Sequence, residues 1–351
     1  MEQIRRNFAS DNVAPVSPEI MAALAEANRG AAPSYGGDEW TLRLQAKVTE
    51  IFETPPAAIL PVTTGTASNA LALSALTPPW GAVLCDESAH ILSDECGAPE
   101  FFMHGGKLRQ IASPDGRIDP EMLSRAIDHA DFRGIHDSRL TALSLTQATE
   151  WGTVYSLEHC RELTDRARAS GLGVHMDGAR FANALATLGC TPAEASWKAG
   201  VDILSLGATK NGALAAELLI IFNPSYTNDM TRRMKRGGHI WSKQRFQSAQ
   251  LLAWFEDDLW LRNAAQANAM ATRLAHGLGR HPGATLPFPT ESNEVFVILP
   301  EAVVGHLEAA GFVFYRWETP PGITGVLIRL VCRYDTQEQD VDALLEALDS
   351  F

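Results

Sequence analysis

VHMDGAR, residues 174–180, runs an apolar stretch into an aspartate and sets an arginine three positions beyond it. A second apolar run, within LSLGATKNGA at 204–213, ends just before Lys210. A third, AILPV at 58–62, gives way to the turn Thr63-Thr64-Gly65-Thr66 and a helix-like segment, ASNALALSAL. AVLCD (82–86), LTALSLTQ (140–147) and AELLIIF (216–222) add runs of the same kind. Apolar runs without strict alternation, separated by helical patterns, predict a mostly parallel sheet buried on both faces. Between two of them, SLEHCRELTDRARASG (156–171) reads as an amphipathic helix, opened by a Ser and Glu suited to capping and closed at Gly171.

Beyond about residue 250 the texture changes. WFEDDLWLRNAAQANAMATRLAHGLG (254–279) reads as one long helix leading away from the sheet. EVFVILP, GFVFYRW and GVLIRLV then read as three shorter strands, and DVDALLEALDSF as a final helix. The expected organisation is a large domain over 1–250, with an N-terminal arm, and a small C-terminal α/β domain over 251–351.

The chain has 351 residues, 20% of them charged, with 29 basic against 42 acidic side chains and a formal charge of −13. That balance argues against non-specific binding to nucleic acid or anionic membranes, both of which need a positive face. Small anionic ligands need only a few local cations. Five scattered cysteines without a CxxC pair suggest free thiols in a reducing compartment. MEQIRRNFAS lacks the apolar core of a signal peptide, and runs such as LLIIF (218–222) are too short to span a bilayer. A cytoplasmic location is expected.

In open α/β sheets, ligands lie beyond the carboxyl ends of the strands. Asp177, Lys210 and the turn at Gly65 all fall there. Each has a bland reading: a turn cap, a solvated amine, a helix start. Together they fit one ligand, pyridoxal 5'-phosphate. An amine can form a Schiff base with its aldehyde, and a carboxylate can keep its ring nitrogen protonated so that the ring accepts electrons. A helix N-terminus with Gly65 and a threonine hydroxyl can receive its phosphate.

FASDN (8–12), AAPSYGGDEWT (31–41), TTGTASNALAL (63–73), DESAHILSDECGAPEFF (86–102), HMDGARFANA (175–184), GATKNG (207–212) and IRLVCRYDT (328–336) resemble the low-specificity L-threonine aldolases. These belong to the β-eliminating lyase group of fold-type I pyridoxal-phosphate enzymes, whose aspartate aminotransferase-like fold pairs a large parallel-sheet domain with a small C-terminal one. The likeness runs in order through nearly the whole chain. It implies that Lys210 carries the cofactor, Asp177 pairs with the pyridinium, Gly65 and Thr66 hold the phosphate, and His90 stacks over the ring. It implies further that Ser10, Arg180 and Arg329 bind the substrate α-carboxylate, for which a bidentate guanidinium is the best-suited side chain. Tyr35 would lie near the site at a subunit interface, and His136 would approach the β-hydroxyl. Thr209-Lys210-Asn211-Gly212 departs from the group's common serine and glycine-rich turn, and leaves the lysine in place. Lys243, in HIWSKQRF, is the nearest candidate for a basic residue reaching a neighbour's phosphate.

The expected reaction is reversible cleavage of L-β-hydroxy-α-amino acids, threonine or allo-threonine, to glycine and an aldehyde, with His90, His136 or a water as base. No metal is expected. The alternatives are transamination, β-elimination, a phenylserine preference, a metal-dependent aldolase, or a non-catalytic cofactor-binding regulator. The sites of this fold type are typically shared, so a homodimer or homotetramer is expected.

Overall fold

A computed structural model describes residues 6–130, 132, 134–319 and 324–351. The leader reading of MEQIRRNFAS therefore falls half outside them. Seven strands form one sheet: β1 (Ala58–Val62), β2 (Gly81–Asp86), β3 (Lys107–Ile111), β4 (Arg139–Thr146), β5 (Gly173–Gly178), β6 (Ile203–Gly207) and β7 (Glu217–Ile221). Their spatial order is β1-β7-β6-β5-β4-β2-β3. Strands β2 to β6 run parallel, and β7 is reversed, antiparallel to both β1 and β6. Every residue of β2, β5, β6 and β7 is buried, which is why these stretches read as continuous apolar runs.

The helix Gly65–Leu76 is buried nearly all round, from Ala67 to Ser74. Thr64 caps it, its hydroxyl accepting the Ala67 N–H at 3.1 Å. β3 was not anticipated. KLRQI carries two charged and one amide side chain over five residues, and it is the sheet's edge strand, with only Ile111 buried. An edge strand with an open face need not be apolar.

A second, antiparallel sheet is ordered β8-β10-β9: β8 (Glu294–Leu299), β9 (Tyr315–Arg316) and β10 (Val326–Val331). Its core joins Val295, Val297, Ile328 and Leu330 to Leu274 and Leu344 from helices, and also to Phe8. The Phe8 N–H donates to the Val313 carbonyl at 2.7 Å, and the Phe8 carbonyl accepts the Val331 N–H at 2.8 Å. The single long helix expected over 254–279 is instead two, Arg245–Phe255 and Leu259–Leu278. The break falls at Glu256-Asp257-Asp258, where both aspartates take positive φ (50° and 54°), a conformation Asp tolerates better than most residues. No described helix is long and apolar enough to cross a membrane.

Candidate active site

The carboxyl ends of β1, β4, β5 and β6 open onto a cavity of about 290 Å³. Asp177, Lys210, Gly65, Thr66, His90 and Arg180 all line it. The strands meet closely here: a Cβ on Gly207 would lie 2.6 Å from the Ala179 carbonyl oxygen, so only glycine lets β6 end against the turn that follows β5. That turn, Ala179–Arg180, precedes a helix starting at Phe181. Arg180 thus reaches the cavity from the turn that caps this helix.

Asp177 is buried, and its two oxygens are already directed. One accepts the Asn69 amide N–H at 2.8 Å and the other the Ala179 N–H at 3.0 Å. Beneath it, His175 bonds Ser144 and Ser205 at 2.9 and 3.0 Å. Burial pushes His175 down to about 4, with Asp177 opposing, so this imidazole is neutral at working pH. Lys210 makes no hydrogen bond or ion pair with the other described residues. Burial, and then the nearby Arg180, hold its amine below the ordinary lysine range. A less basic amine is more often free to attack a carbonyl.

The arginines stand in a buried charge cluster. Arg180 reaches Asp11 at 2.6 Å and Glu294 at 3.1 Å. Burial opposes its charge, but Asp11 and Glu294 outweigh it and hold the guanidinium above its ordinary value. Arg329 lies on β10, the central strand of the small sheet, so it is no edge residue facing water. It contacts Glu294 at 3.4 Å and lies 4.7 Å over the Trp317 ring. Burial lowers its affinity for the proton, with Glu294 opposing. Both arginines and Ser10 line a wider vestibule of about 870 Å³ that adjoins the cavity at His90, Glu150 and Lys210.

His90 begins a short helix and is half-buried. Its Nδ1 lies 2.9 Å from Glu95 Oε1, and that bond raises its pKa while burial opposes the rise. Its backbone N–H donates to Glu150 at 2.8 Å. Glu217, buried, and Glu150, half-buried, are acids lining the cavity, each pushed up to about 7, above all by desolvation.

Three of the anticipated residues line neither this cavity nor its vestibule. His136 is exposed, ahead of β4, while the cavity lies at that strand's other end near Thr146. Lys243 and Tyr35 are exposed near one another, the Tyr35 N–H donating to the Ser242 carbonyl at 3.0 Å. Sequence reasoning passed over Asp11, Asn69, Glu95, Glu150, Glu217 and Glu294. The available signal was polarity out of place: Asn69 inside the apolar ASNALALSAL, Glu217 inside AELLIIF, Glu294 opening EVFVIL.

These residues fit pyridoxal 5'-phosphate. The unpartnered amine of Lys210 and the carboxylate of Asp177 line one cavity, and nothing lies within 4 Å of where a Cβ on Gly65 would project, leaving room above the first turn of a helix. Buried polar atoms left without a partner, Ser68 Oγ and Glu150 Oε2 among them, belong to residues of its wall.

Comparison with known proteins agrees. The beta-eliminating lyase family model matches residues 7–302. The low specificity L-threonine aldolase of Pseudomonas aeruginosa is 42% identical over 340 residues, which span 97% of this chain and 96% of that one. The corresponding enzyme of Saccharomyces cerevisiae is 27% identical over 84% of this chain and 74% of its own. The solved threonine aldolase of Leishmania major superposes with a TM-score of 0.92 at 27% identity, covering 99% of both chains. A Sphingomonas wittichii serine palmitoyltransferase shares the fold alone, with a TM-score of 0.71 at 15% identity over 98% of this chain and 86% of that one. With these strand ends, this cavity and this extent of match, the chain belongs to the beta-eliminating lyase family, alongside its low specificity L-threonine aldolases.

Proposed function

We propose that the protein cleaves L-β-hydroxy-α-amino acids, L-threonine and L-allo-threonine among them, reversibly to glycine and an aldehyde. The observation that carries this reading is the convergence of Lys210, Asp177, His90 and Arg180 on one cavity, with Arg329 at its mouth. Pyridoxal 5'-phosphate, when bound, supplies a carbonyl for the amine and an electron-accepting ring.

The chain's own residues do the rest. Lys210, its amine less basic than an ordinary lysine's, would hold the cofactor through the cofactor's carbonyl. Asp177, directed by Asn69 and the Ala179 N–H, keeps a proton on the ring nitrogen. Gly65 and Thr66 offer free N–H groups and a hydroxyl to the phosphate. Arg180, Arg329 and Ser10 grip the α-carboxylate and so orient the bond to be broken. Because Asp11 and Glu294 already neutralise the arginines, the substrate carboxylate must compete with Glu294 for Arg329. Nε2 of His90 removes the β-hydroxyl proton; its position beside the cavity suits it, and imidazole is the side chain type best fitted to such a base role.

His136, Tyr35 and Lys243 lie outside this chain's cavity, so they would serve the site of a second copy: His136 near the β-hydroxyl and Lys243 near the phosphate. A homo-oligomer with shared sites, dimer or tetramer, follows from that assignment. A cytoplasmic location is a separate part of the proposal, in keeping with the free cysteines. The large domain (1–250) would supply the cofactor site and the small one (251–351) the second arginine.

A preference for aryl substrates is favoured by one observation. Trp151, Phe288 and Trp317 wall the vestibule, the Trp151 and Phe288 ring centroids 4.7 Å apart. Purified protein supplied with the cofactor should release aldehyde and glycine in equal amounts from L-threonine, L-allo-threonine and L-phenylserine. Keto acid from alanine, or pyruvate and ammonia from serine, with no aldehyde, would transfer the assignment to transamination or elimination.

A further inference from the structure

Beneath His90 lies a chain of buried polar groups, of which the reaction just described uses Asp177 and Asn69 but not Glu95. The imidazole Nδ1–H donates to Glu95 Oε1 at 2.9 Å. The same oxygen accepts the Asn69 amide N–H at 2.9 Å, and the other hydrogen of that amide goes to Asp177 at 2.8 Å. The His90 side chain is 41% exposed, whereas that of Glu95 is 0%. Glu95 Oε2 and Asn69 Oδ1 are buried without a partner. A carboxylate kept fully out of water with one oxygen unpaired is costly, and it is tolerated here at the one place where it faces an imidazole.

We infer that Glu95, braced by Asn69, is a positioning residue for His90. It binds Nδ1–H, so that Nε2 is the nitrogen left to face the cavity, and it sets the pH at which Nε2 becomes free to accept a proton. The inference rests on the aldolase reading only in taking Nε2 as the acceptor. No proton passes to Glu95, which stays the acceptor of the Nδ1–H bond throughout.

Other charges face the same ring. Asp177, from the end of β5, favours the imidazolium, and Lys210, after β6, opposes it. Glu150, after β4, accepts the backbone N–H, and Arg180 and Glu217 line the same cavity. On the ring's own segment, Glu87 and Asp94 stand at the vestibule. Among the described residues, Glu95 alone hydrogen-bonds the ring itself, so its removal should dominate any change in the titration.

Two variants move the titration in opposite directions. In Glu95→Gln, the amide oxygen still accepts Nδ1–H but the charge is gone, so His90 should give up its proton at lower pH. In Asn69→Ala, Glu95 loses a donor and draws more strongly on Nδ1–H, so His90 should hold its proton to higher pH. The measurement is NMR titration of histidine Cε1–H in the holoenzyme, with the His90 signal identified by its loss in His90→Asn. The pH dependence of kcat/KM for threonine is measured beside it. The expected result is a downward move of about one pH unit in Glu95→Gln and an upward one in Asn69→Ala, with the acid limb of kcat/KM following both. No movement, or movement in the same direction, would overturn the inference, and if one variant fails to fold the sign of the other still decides. If the wild-type protein releases no aldehyde, the aldolase reading fails while the titration still tests the positioning role.

Discussion

Lys210 carries a charge that its surroundings favour only in part. Burial and Arg180 disfavour the ammonium, while Asp11, Asp177 and Glu294 favour it. The balance leaves an amine poised for covalent attachment, and Lys210→Ala should abolish aldehyde release. Borohydride followed by mass spectrometry should fix the cofactor's mass on the wild-type chain and not on the variant. Asp177→Asn should keep the cofactor but slow turnover by about a hundredfold or more, since it removes a preorganised charge from a water-poor site. An unchanged kcat would refute that role.

The buried acids make a separate prediction about stability. Glu217 is raised from 4.5 to about 7 on folding, chiefly by burial. For an acid raised in this way, the stabilising contribution is full below the unfolded value, declines as pH rises from about 4.5 to about 7, and is absent above. Glu217→Gln should therefore be more stable than the wild type at pH 8, by on the order of 3 kcal/mol at most, and show little gain at pH 4.5. Thermal melts of the two proteins at both pH values check the sign. His175 acts in the opposite sense: its depressed value withdraws stability as pH falls from about 6.5 toward 4.

At the scale of elements, the helix Gly65–Leu76 matters most, because its first turn faces the cavity while its body is buried. Thr64→Ala removes its cap and should cost about 1 kcal/mol, read as a lower midpoint in urea. The strands that hold the site were plain in the sequence because a parallel strand covered on both faces has to be apolar, and each functional residue interrupts or ends such a run. Asp177, Lys210 and Arg329 stand out for that reason. What stayed hidden had no such contrast. β3 looks polar because it is an edge. The break at Glu256-Asp257-Asp258 lies inside an otherwise continuous helical pattern. Glu95 and Asp11 sit in loops where acids are common, and only the folded chain brings them beneath His90 and Arg180.

At the scale of the molecule, the proposed sharing of sites between copies is open to a direct test. Tyr35, Leu42 and Trp241 are large apolar side chains 57%, 59% and 37% exposed; Lys243 follows Trp241 in sequence, and the Tyr35 N–H bonds the Ser242 carbonyl. Light scattering should give a multiple of 38.1 kDa. If Lys243 serves its neighbour, Lys243→Ala and Lys210→Ala should each be impaired, and mixing them under exchange conditions should restore activity by creating one intact site per mixed pair. No recovery, with mixed oligomers present, would mean that Lys243 acts elsewhere.

Finally, the pairing of Phe8 with Val313 and Val331 has a bearing on the order of synthesis. A chain emerging from the ribosome N-terminus first makes the residues around Phe8 at the outset, yet their backbone partners come almost last. The seven-stranded sheet can assemble once residue 221 is out. Asp11, by contrast, stands next to a segment whose backbone partners arrive only with Val313 and then β10. Arg180 would wait for both its acidic partners, Glu294 and the Asp11 of the returning arm. The proposed substrate clamp is thus among the last parts to be completed, and a chain terminated before β8 would keep Lys210, the proposed cofactor lysine, while lacking Glu294 and Arg329.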